Sequence, residues 1–351
     1  MSNTKHWAPV LLEWFAAHRR DLPWRHDTPR DPYKVWVSEI MLQQTKVEAV
    51  RPYYEHWIER FPTVQSLAKA SQDDVLKEWQ GLGYYSRARN LHEAVKEVQA
   101  SYGGRVPDTK EEILKLKGVG EYTAGAILSI AYGQDEVAVD GNVLRVFARL
   151  YNIQDNVLSG PVKKKITALA EEQVLPHTGA AMCEALMDFG AMICIPKSPK
   201  CEACPLQRYC QAYAAGTAKD LPLRITKKKV PTEYITVVMI QQQGKWLIHR
   251  RPAKGILASM WEFPNAVGRG KAGKEAVIQL VHDLGLTLQI ENTVLTKVKH
   301  VFSHKIWQMT VYAGTVTAGT LLPKEDWQWL PCSEYTTVPW AGPHGKFTAL
   351  P

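Results

Sequence analysis

The stretch Leu116-Lys117-Gly118-Val119-Gly120-Glu121-Tyr122-Thr123-Ala124 stands between a helical pattern and the apolar run Ala124 to Ala131. Two glycines spaced two apart let the backbone turn tightly between helices. They also leave amide N–H groups at a helix start, where Gly118 and Gly120 can hold a phosphate. A plain helix–helix turn fits the same residues, so the surroundings matter. Twenty residues on from Gly120 comes Val139-Asp140-Gly141-Asn142-Val143, which opens the periodic set Val143, Val146, Phe147, Leu150. On the other side, Tyr33, Trp36, Val37, Ile40 and Met41 follow the i, i+3, i+4, i+7, i+8 spacing of a helix face. From Pro9 to about residue 216 the chain reads as helix after helix, broken by Pro and Gly, with strand signals nearly absent. This part is expected to be all-α.

Between Lys219 and Pro231 the composition shifts to L-P-L-R-I-T-K-K-K-V-P, two prolines bracketing a basic run, which reads as a linker. Beyond it, Tyr234 to Gln241, Lys245 to Arg250, Val294 to Val301 and Lys305 to Val316 are rich in β-branched and aromatic residues. One helix is expected at Gly273 to Leu284. The second part is therefore α+β, with an antiparallel or mixed sheet whose core takes Trp246, Trp261 and Trp307. The expected organisation is a helical domain over 1–217, a linker over 218–231 and an α+β domain over 232–351. A length of 351 residues agrees with two domains at roughly 150 residues each. An apolar fraction of 45% with 22% charged residues excludes a disordered or collagen-like chain. The longest apolar stretches, such as Ala124 to Tyr132, fall far short of the roughly 18 residues of a bilayer span. A cytoplasmic, nucleoid-associated protein without a membrane partner is the expectation.

The net charge of +8 is local. Residues 1–200 hold 25 basic and 25 acidic side chains, whereas residues 201–300 hold 15 basic against 7 acidic. Attraction to a polyanion is expected to concentrate in a basic stretch that begins at the cysteine-rich loop 194–210 and runs through Lys227-Lys228-Lys229 into the second domain.

Two carboxylates stand out. Asp140 precedes a helix, where it can serve as a plain N-cap, and the helix dipole is expected to keep it ionised, facing a developing cation. Glu39, in Trp36-Val37-Ser38-Glu39-Ile40-Met41-Leu42-Gln43-Gln44-Thr45, has Val35 and Leu42 as helical neighbours, so desolvation should raise its pKa. A partly exposed helix residue with a salt partner is the other reading. A raised carboxyl beside an ionised one is the division of labour of general acid and nucleophile or stabiliser in retaining glycosidases.

Four of the six cysteines, Cys194, Cys201, Cys204 and Cys210, form a C-x6-C-x2-C-x5-C run. Four thiolates suit zinc or a 4Fe-4S cluster, and the presence of only one C-x2-C knuckle favours the cluster over zinc. Lys197, Lys200 and Arg208 surround the cysteines, as in a rigid loop presenting cations to phosphates. Cys183 and Cys332 read as buried apolar side chains.

The cysteine spacing resembles that of the endonuclease-III-like branch of helix-hairpin-helix DNA glycosylases. S-E-I-M-L-Q-Q-T, G-L-G-Y-Y-S-R-A-R-N-L, G-V-G-E-Y-T-A-G-A and V-D-G-N-V, in that order, narrow the resemblance to adenine DNA glycosylases of the MutY type. The resemblance implies a helix-hairpin-helix domain with a 4Fe-4S loop followed by a Nudix-like domain. It further implies that Glu39 protonates N7 of a flipped-out adenine and later helps activate water. Asp140 would stabilise or trap the oxocarbenium ion, and Tyr122 and Asn142 would support the pair. Position 122 is Tyr, where bifunctional relatives carry a Schiff-base Lys, so a monofunctional glycosylase is implied. Leu22-Pro23-Trp24-Arg25 matches the segment lining the adenine pocket, and Glu184 the position contacting the adenine edge; a core role for Trp24 and a surface role for Glu184 are the other readings. Gln44 and Tyr84 match residues wedged beside the opposing base, although Tyr84 also suits packing between helices. Phe302-Ser303-His304 matches the segment that recognises 8-oxoguanine, where an ordinary hairpin turn would also fit. The implied partner is double-stranded DNA containing A opposite 8-oxoguanine or G, bound by a monomer.

Aligning a hydrolytic Nudix signature on Gly285 puts Ile278, Gln279, His282 and Asp283 at its Arg and Glu positions, so a pyrophosphohydrolase lacks its metal ligands. Two other readings are an endonuclease-III-type pyrimidine glycosylase/lyase and a non-catalytic DNA-binding scaffold organised by zinc.

Overall fold

The structure, a computed structural model, describes residues 7–174, 176–225 and 230–348. To Ala214 the described chain is helical: α1 (Ala8–His18), α2 (Pro32–Leu42), α3 (Val47–Arg60), α4 (Val64–Lys69), α5 (Gln72–Glu78), α6 (Ser86–Ser101), α7 (Lys110–Ile113), α8 (Glu121–Ile130), α9 (Gly141–Leu150), α10 (Gly160–Glu171), α11 (Gly179–Met192) and α12 (Gln211–Ala214). Caps set several of the starts. The Asp31 side chain accepts from the Tyr33 amide with Pro32 at the first turn of α2, and Thr63 and Ser66 form a reciprocal capping box on α4. Among the described residues no helix is long and apolar enough to cross a membrane.

The chain divides into two compact units, Met1–Ala70 with Asn90–Thr226, and Ser71–Arg89 with Lys227–Pro351. The second division falls inside the expected linker 218–231, whose Lys227-Lys228-Lys229 lie outside the described residues.

In the first unit, Trp7, Leu11 and Phe15 at the N-terminal helix pack against Val146, Phe147 and Leu150 of α9 and Met182, Leu186 and Phe189 of α11. Each such side chain contributes about 1.5–3 kcal/mol by leaving water. Helix α8 packs on both α2 and α11, and α11 packs on α9. That arrangement sets the start of α9, the middle of α2 and one face of α11 around the first residues of α8. Gly190 permits the α11–α9 approach, since a Cβ there would stand 2.7 Å from the Asn142 Cβ.

The second unit holds a seven-stranded mixed sheet of order β3-β2-β1-β6-β5, with β4 beside β1 and β7 beside β2. The strands are β1 (Thr232–Gln242), β2 (Lys245–Arg250), β3 (Trp261–Glu262), β4 (Asn265–Val267), β5 (Leu286–Val301), β6 (Ile306–Gly319) and β7 (Trp327–Pro331). β1 runs parallel to β6 with Glu233 opposite Trp307, while β5 and β6 form an antiparallel pair. Helix α13 (Gly270–His282) covers one face with Val277 and Val281 against Val238, Ile240 and Leu288. The opposite face buries Trp246, Trp261, Phe263, Trp307 and Trp340, so the three tryptophans build the core as their sequence context implied.

Two observations depart from the sequence reading. β5 starts at Leu286, eight residues before Val294, because Leu286 and Leu288 alternate inward ahead of a break in register between Ile290 and Val294. The segment 71–89, placed by sequence within the 1–217 domain, groups with the sheet-containing unit. Arg250 pairs with Asp73, and Arg89 Nη1 donates to the Ala258 carbonyl at 3.0 Å.

Candidate active site

Helix α2 is buried along most of its length, and Glu39 is 4% exposed among those apolar neighbours. Burial pushes its carboxyl up to about 7; the nearby charges of Asp140 and Glu184 add to the rise, and a hydrogen bond from Tyr122 opposes it. The Tyr122 hydroxyl donates to Glu39 Oε2, and burial holds that phenol well above its ordinary range. Tyr122 stands in the first turn of α8, immediately after the glycine hairpin.

Asp140 caps α9. Its Oδ1 accepts from the amides of Asn142 and Val143, both at 2.8 Å, and its Oδ2 accepts from Asn142 Nδ2 at 2.6 Å. Burial outweighs the cap and the Asn142 bond, so the Asp140 carboxyl sits above its ordinary value. Asn142 Oδ1 in turn accepts from Arg145 Nη2 at 2.9 Å, and Arg145 Nε reaches the Cys194 carbonyl at 2.7 Å.

Glu39, Tyr122, Asp140 and Asn142 line one cavity of about 140 Å³ together with Trp24, Arg25 and Glu184. Trp24 is both core and wall: its ring packs edge-on against Tyr54 at 5.4 Å while it also borders the cavity. Glu184 is buried rather than on the surface, paired with Arg25 Nε at 3.1 Å and Arg30 Nη2 at 3.0 Å. Arg25 also grips Asp188, one helical turn along α11, through Nη1 at 2.8 Å and Nη2 at 3.1 Å. Burial raises the Asp188 carboxyl, but the bonds from Arg25 and Arg20 outweigh it and hold it below the usual carboxylate range. Sequence reasoning missed Arg30 and Asp188. The available signal was Glu184 and Asp188 four apart on an otherwise apolar helix, which calls for cations from elsewhere.

Outside this cavity a groove of about 1110 Å³ runs past Tyr122, Asp140 and Asn142, bordered by Gln44, Lys46, Lys110, Lys163, Lys164 and Arg224. The four lysines among them were invisible to a count that balanced over residues 1–200. Gln44 is exposed with φ +59°. Gly118 is exposed with φ +79°, a conformation that favours glycine, and Gly120 caps the start of α8. Lys197, Lys200 and Arg208 are exposed on the cysteine loop.

Cys194, Cys201, Cys204 and Cys210 line one apolar cavity, closed on the core side by Val146, Leu150 and Phe189. Arg149, 1% exposed, donates to the Cys194 sulfur at 3.3 Å and to the Ile195 and Pro196 carbonyls at 2.8 Å. Burial pushes Cys204 up to about 12 and raises Cys201 and Cys210, with the neighbouring sulfurs adding to each rise. Such thiols ionise together only around strong positive charge. Among the described residues no three His, Cys, Asp or Glu side chains are gathered tightly enough to hold a single metal ion. A 4Fe-4S cluster, with four separate iron corners, asks instead that four sulfurs surround one space, which these do.

In the second unit, Tyr84 is 45% exposed at φ +48°, with the Arg87 guanidinium 5.4 Å from its ring centroid, so it is not packed between helices. Phe302, Ser303 and His304 form the turn between β5 and β6, with Ser303 and His304 exposed at its tip.

Comparison with known proteins matches residues 37–175 to the HhH-GPD superfamily base excision DNA repair protein family, 194–210 to the iron-sulfur binding domain of endonuclease III, and 235–350 to the NUDIX domain. Adenine DNA glycosylase of Rattus norvegicus is 35% identical, over 90% of this chain and 72% of its own length. The adenine DNA glycosylase of Buchnera aphidicola subsp. Schizaphis graminum is 38% identical, over 73% of this chain and 74% of its own. Among solved structures, a thermostable thymine-DNA glycosylase superposes with a TM-score of 0.55 at 32% identity, over 60% of this chain and 97% of that one. With the buried Glu39–Tyr122 pair, the capped Asp140 and the four-cysteine cavity all present, the chain belongs to the adenine DNA glycosylases, base-excision DNA repair enzymes that hydrolyse N-glycosyl bonds and carry a 4Fe-4S cluster.

Proposed function

We propose that this enzyme removes adenine opposite 8-oxoguanine, and also opposite guanine, from double-stranded DNA, acting as a monofunctional monomer. The observation that carries the reading is the sharing of one small cavity by Glu39, Tyr122 and Asp140 with Trp24, Arg25 and Glu184. A base must leave the stack to reach such a site, and a mispaired adenine is extruded at less cost than a paired one. Glu39, with its carboxyl near pH 7, is partly protonated under neutral conditions and can give that proton to N7 of the flipped base. The C1′–N9 bond then breaks with its electron pair passing to the adenine. The sugar is left as an oxocarbenium ion facing Asp140, which stabilises or traps it. Water adds at C1′ and its proton goes to the Glu39 carboxylate. Tyr122 holds Glu39 in place by its hydroxyl and offers no amine for a Schiff base, so strand cleavage does not accompany base release.

Arg25 and Glu184 line the wall expected to meet the adenine edge, each fixed by an ion pair to the other. The cluster bound by Cys194, Cys201, Cys204 and Cys210 would serve as a structural core for the loop that presents Lys197, Lys200 and Arg208 to phosphates. The hairpin of Phe302, Ser303 and His304 would read the opposing 8-oxoguanine through its N7–H and O8 groups, with Gln44 and Tyr84 filling space beside that base.

Single-turnover adenine release from duplexes carrying A opposite 8-oxoguanine, G, C or T tests the specificity. Fastest release opposite 8-oxoguanine, then G, is expected, and Ser303→Ala should narrow the gap between those two. Equal rates on all four duplexes would contradict the reading, as would a borohydride-trapped covalent adduct formed as fast as base release.

A further inference from the structure

The turn between β5 and β6 is polar and exposed at its tip but firmly held at its base. The Phe302 amide donates to the Lys305 carbonyl at 2.8 Å, closing the turn. The Phe302 ring meets the Trp307 ring edge-on, with centroids 4.9 Å apart at 77°. Trp307 is 6% exposed, and its Nε1–H donates to Glu233 Oε2 at 2.9 Å across the β1–β6 pair. The other oxygen of that carboxylate accepts from Lys305 Nζ at 2.6 Å. The Trp307 ring has a second fixed neighbour: the Arg251 guanidinium lies 5.4 Å from its centroid, held by buried Glu262 and by the Ile256 carbonyl at 2.9 Å. One carboxylate therefore ties both ends of the turn, Phe302 through the indole and Lys305 directly. Ser303 and His304 bond to each other, Oγ to Nδ1 at 3.4 Å, and point outward from this base.

We propose that Trp307, oriented by Glu233, is a positioning residue that fixes the Phe302–His304 turn for discrimination of the base opposite adenine. The inference rests on the recognition role proposed above for that turn. Guanine and 8-oxoguanine differ at one edge by a proton and an oxygen, so discrimination comes down to a hydrogen bond or two whose partners must be held to a fraction of an ångström. A turn tip supplied by small polar side chains cannot hold itself to that tolerance. An aromatic ring locked by a charge-assisted bond can hold it from behind. A tryptophan kept only for packing would not need its indole N–H and the adjacent Lys305 to share one carboxylate.

The test compares the ratio of single-turnover rates on A opposite 8-oxoguanine and A opposite G for the full chain and for Glu233→Ala, Glu233→Gln, Trp307→Phe and Ser303→Ala. Glu233→Ala and Trp307→Phe should narrow the ratio by about fivefold, the equivalent of one hydrogen bond. Glu233→Gln keeps an acceptor for the indole and should retain most of the discrimination that Glu233→Ala loses, a contrast in the ratio that a purely structural role would not produce. If Ser303→Ala narrows the ratio while Glu233→Ala and Trp307→Phe lower both rates in step, Trp307 is merely core and the proposal is overturned. If Ser303→Ala also keeps the wild-type ratio, the recognition role of the turn falls and the proposal with it. Should Glu233→Ala fail to fold, Trp307→Phe and Glu233→Gln decide the matter alone.

Discussion

Glu39 is held where its charged form is costly. Its carboxyl ionises near pH 7 in the folded chain against an ordinary 4.5, so the native state binds a proton that the unfolded state has already released. Stability is therefore complete below about pH 4.5 and is lost as pH rises through about 7, by on the order of 3 kcal/mol. Glu39→Gln, which keeps an acceptor for Tyr122, should raise the thermal midpoint at about pH 8 and leave it nearly unchanged at about pH 4. A gain equal at both pH values would contradict this account of the site. Asp188 works in the opposite sense, neutralising Arg20 and Arg25. Asp188→Asn should cost roughly 3–5 kcal/mol by leaving buried guanidinium groups short of a counter-charge, and should raise the concentration of enzyme needed to saturate base release. Residue identities along one helix or turn made Glu39 and Asp140 legible, while Tyr122 came only with the family resemblance. Arg30 and Asp188 were not, because their partners lie 154 and 163 residues away and no local pattern links them.

The glycine hairpin and α9 carry the site as elements. Tyr122 lies in the first turn of α8 and Asp140 caps α9, and both helix starts were legible from Gly-x-Gly and from Asp before a periodic run. The close fit behind them was not. Gly190 lies inside the apolar pattern of α11, where nothing distinguishes it from a packing residue, yet it is what lets α11 approach Asn142. Gly190→Ala should cost about 1–3 kcal/mol by overpacking and slow base release by displacing the Asn142–Asp140 bond, as a melting curve and a single-turnover assay would show. A folded variant with the native rate would remove Asn142 from the supporting set. In the second unit, the strand pattern gave β1, β2 and β6 to within a few residues. β5 was read short because its first turn of alternation is separated from the rest by a bulge, and the parallel β1–β6 pairing that brings Glu233 to Trp307 has no signature in either strand alone.

Over the whole molecule, charge is where linear reading and three-dimensional arrangement part most clearly. A count of 25 basic and 25 acidic residues over the first 200 suggests a neutral domain, yet Lys46, Lys110, Lys163 and Lys164 border the groove that passes Asp140. Cations that border a groove beside Asp140 thus also come from the balanced first 200 residues, whereas the sequence pointed to the basic stretch beginning at the cysteine loop. The double substitution Lys163→Gln, Lys164→Gln should lower the slope of log affinity against log salt by about 2 if both contact phosphates, with little effect on which opposing base is preferred. An unchanged slope would remove α10 from the DNA path. The organisation into a helical and a sheet-containing part was legible from periodicity; the grouping of 71–89 with the second was not, since it depends on Arg250 and Ala258, about 170 residues away along the chain. The central claim is that a buried, protonated Glu39 delivers the proton that releases adenine. Single-turnover release from an A·8-oxoguanine duplex, followed from about pH 5 to about pH 9, tests it most directly. The wild-type rate should fall as pH rises through about 7, and Glu39→Gln should be slower by about 100-fold or more at neutral pH, without that pH dependence. A Glu39→Gln enzyme that keeps the wild-type rate and profile would contradict the account.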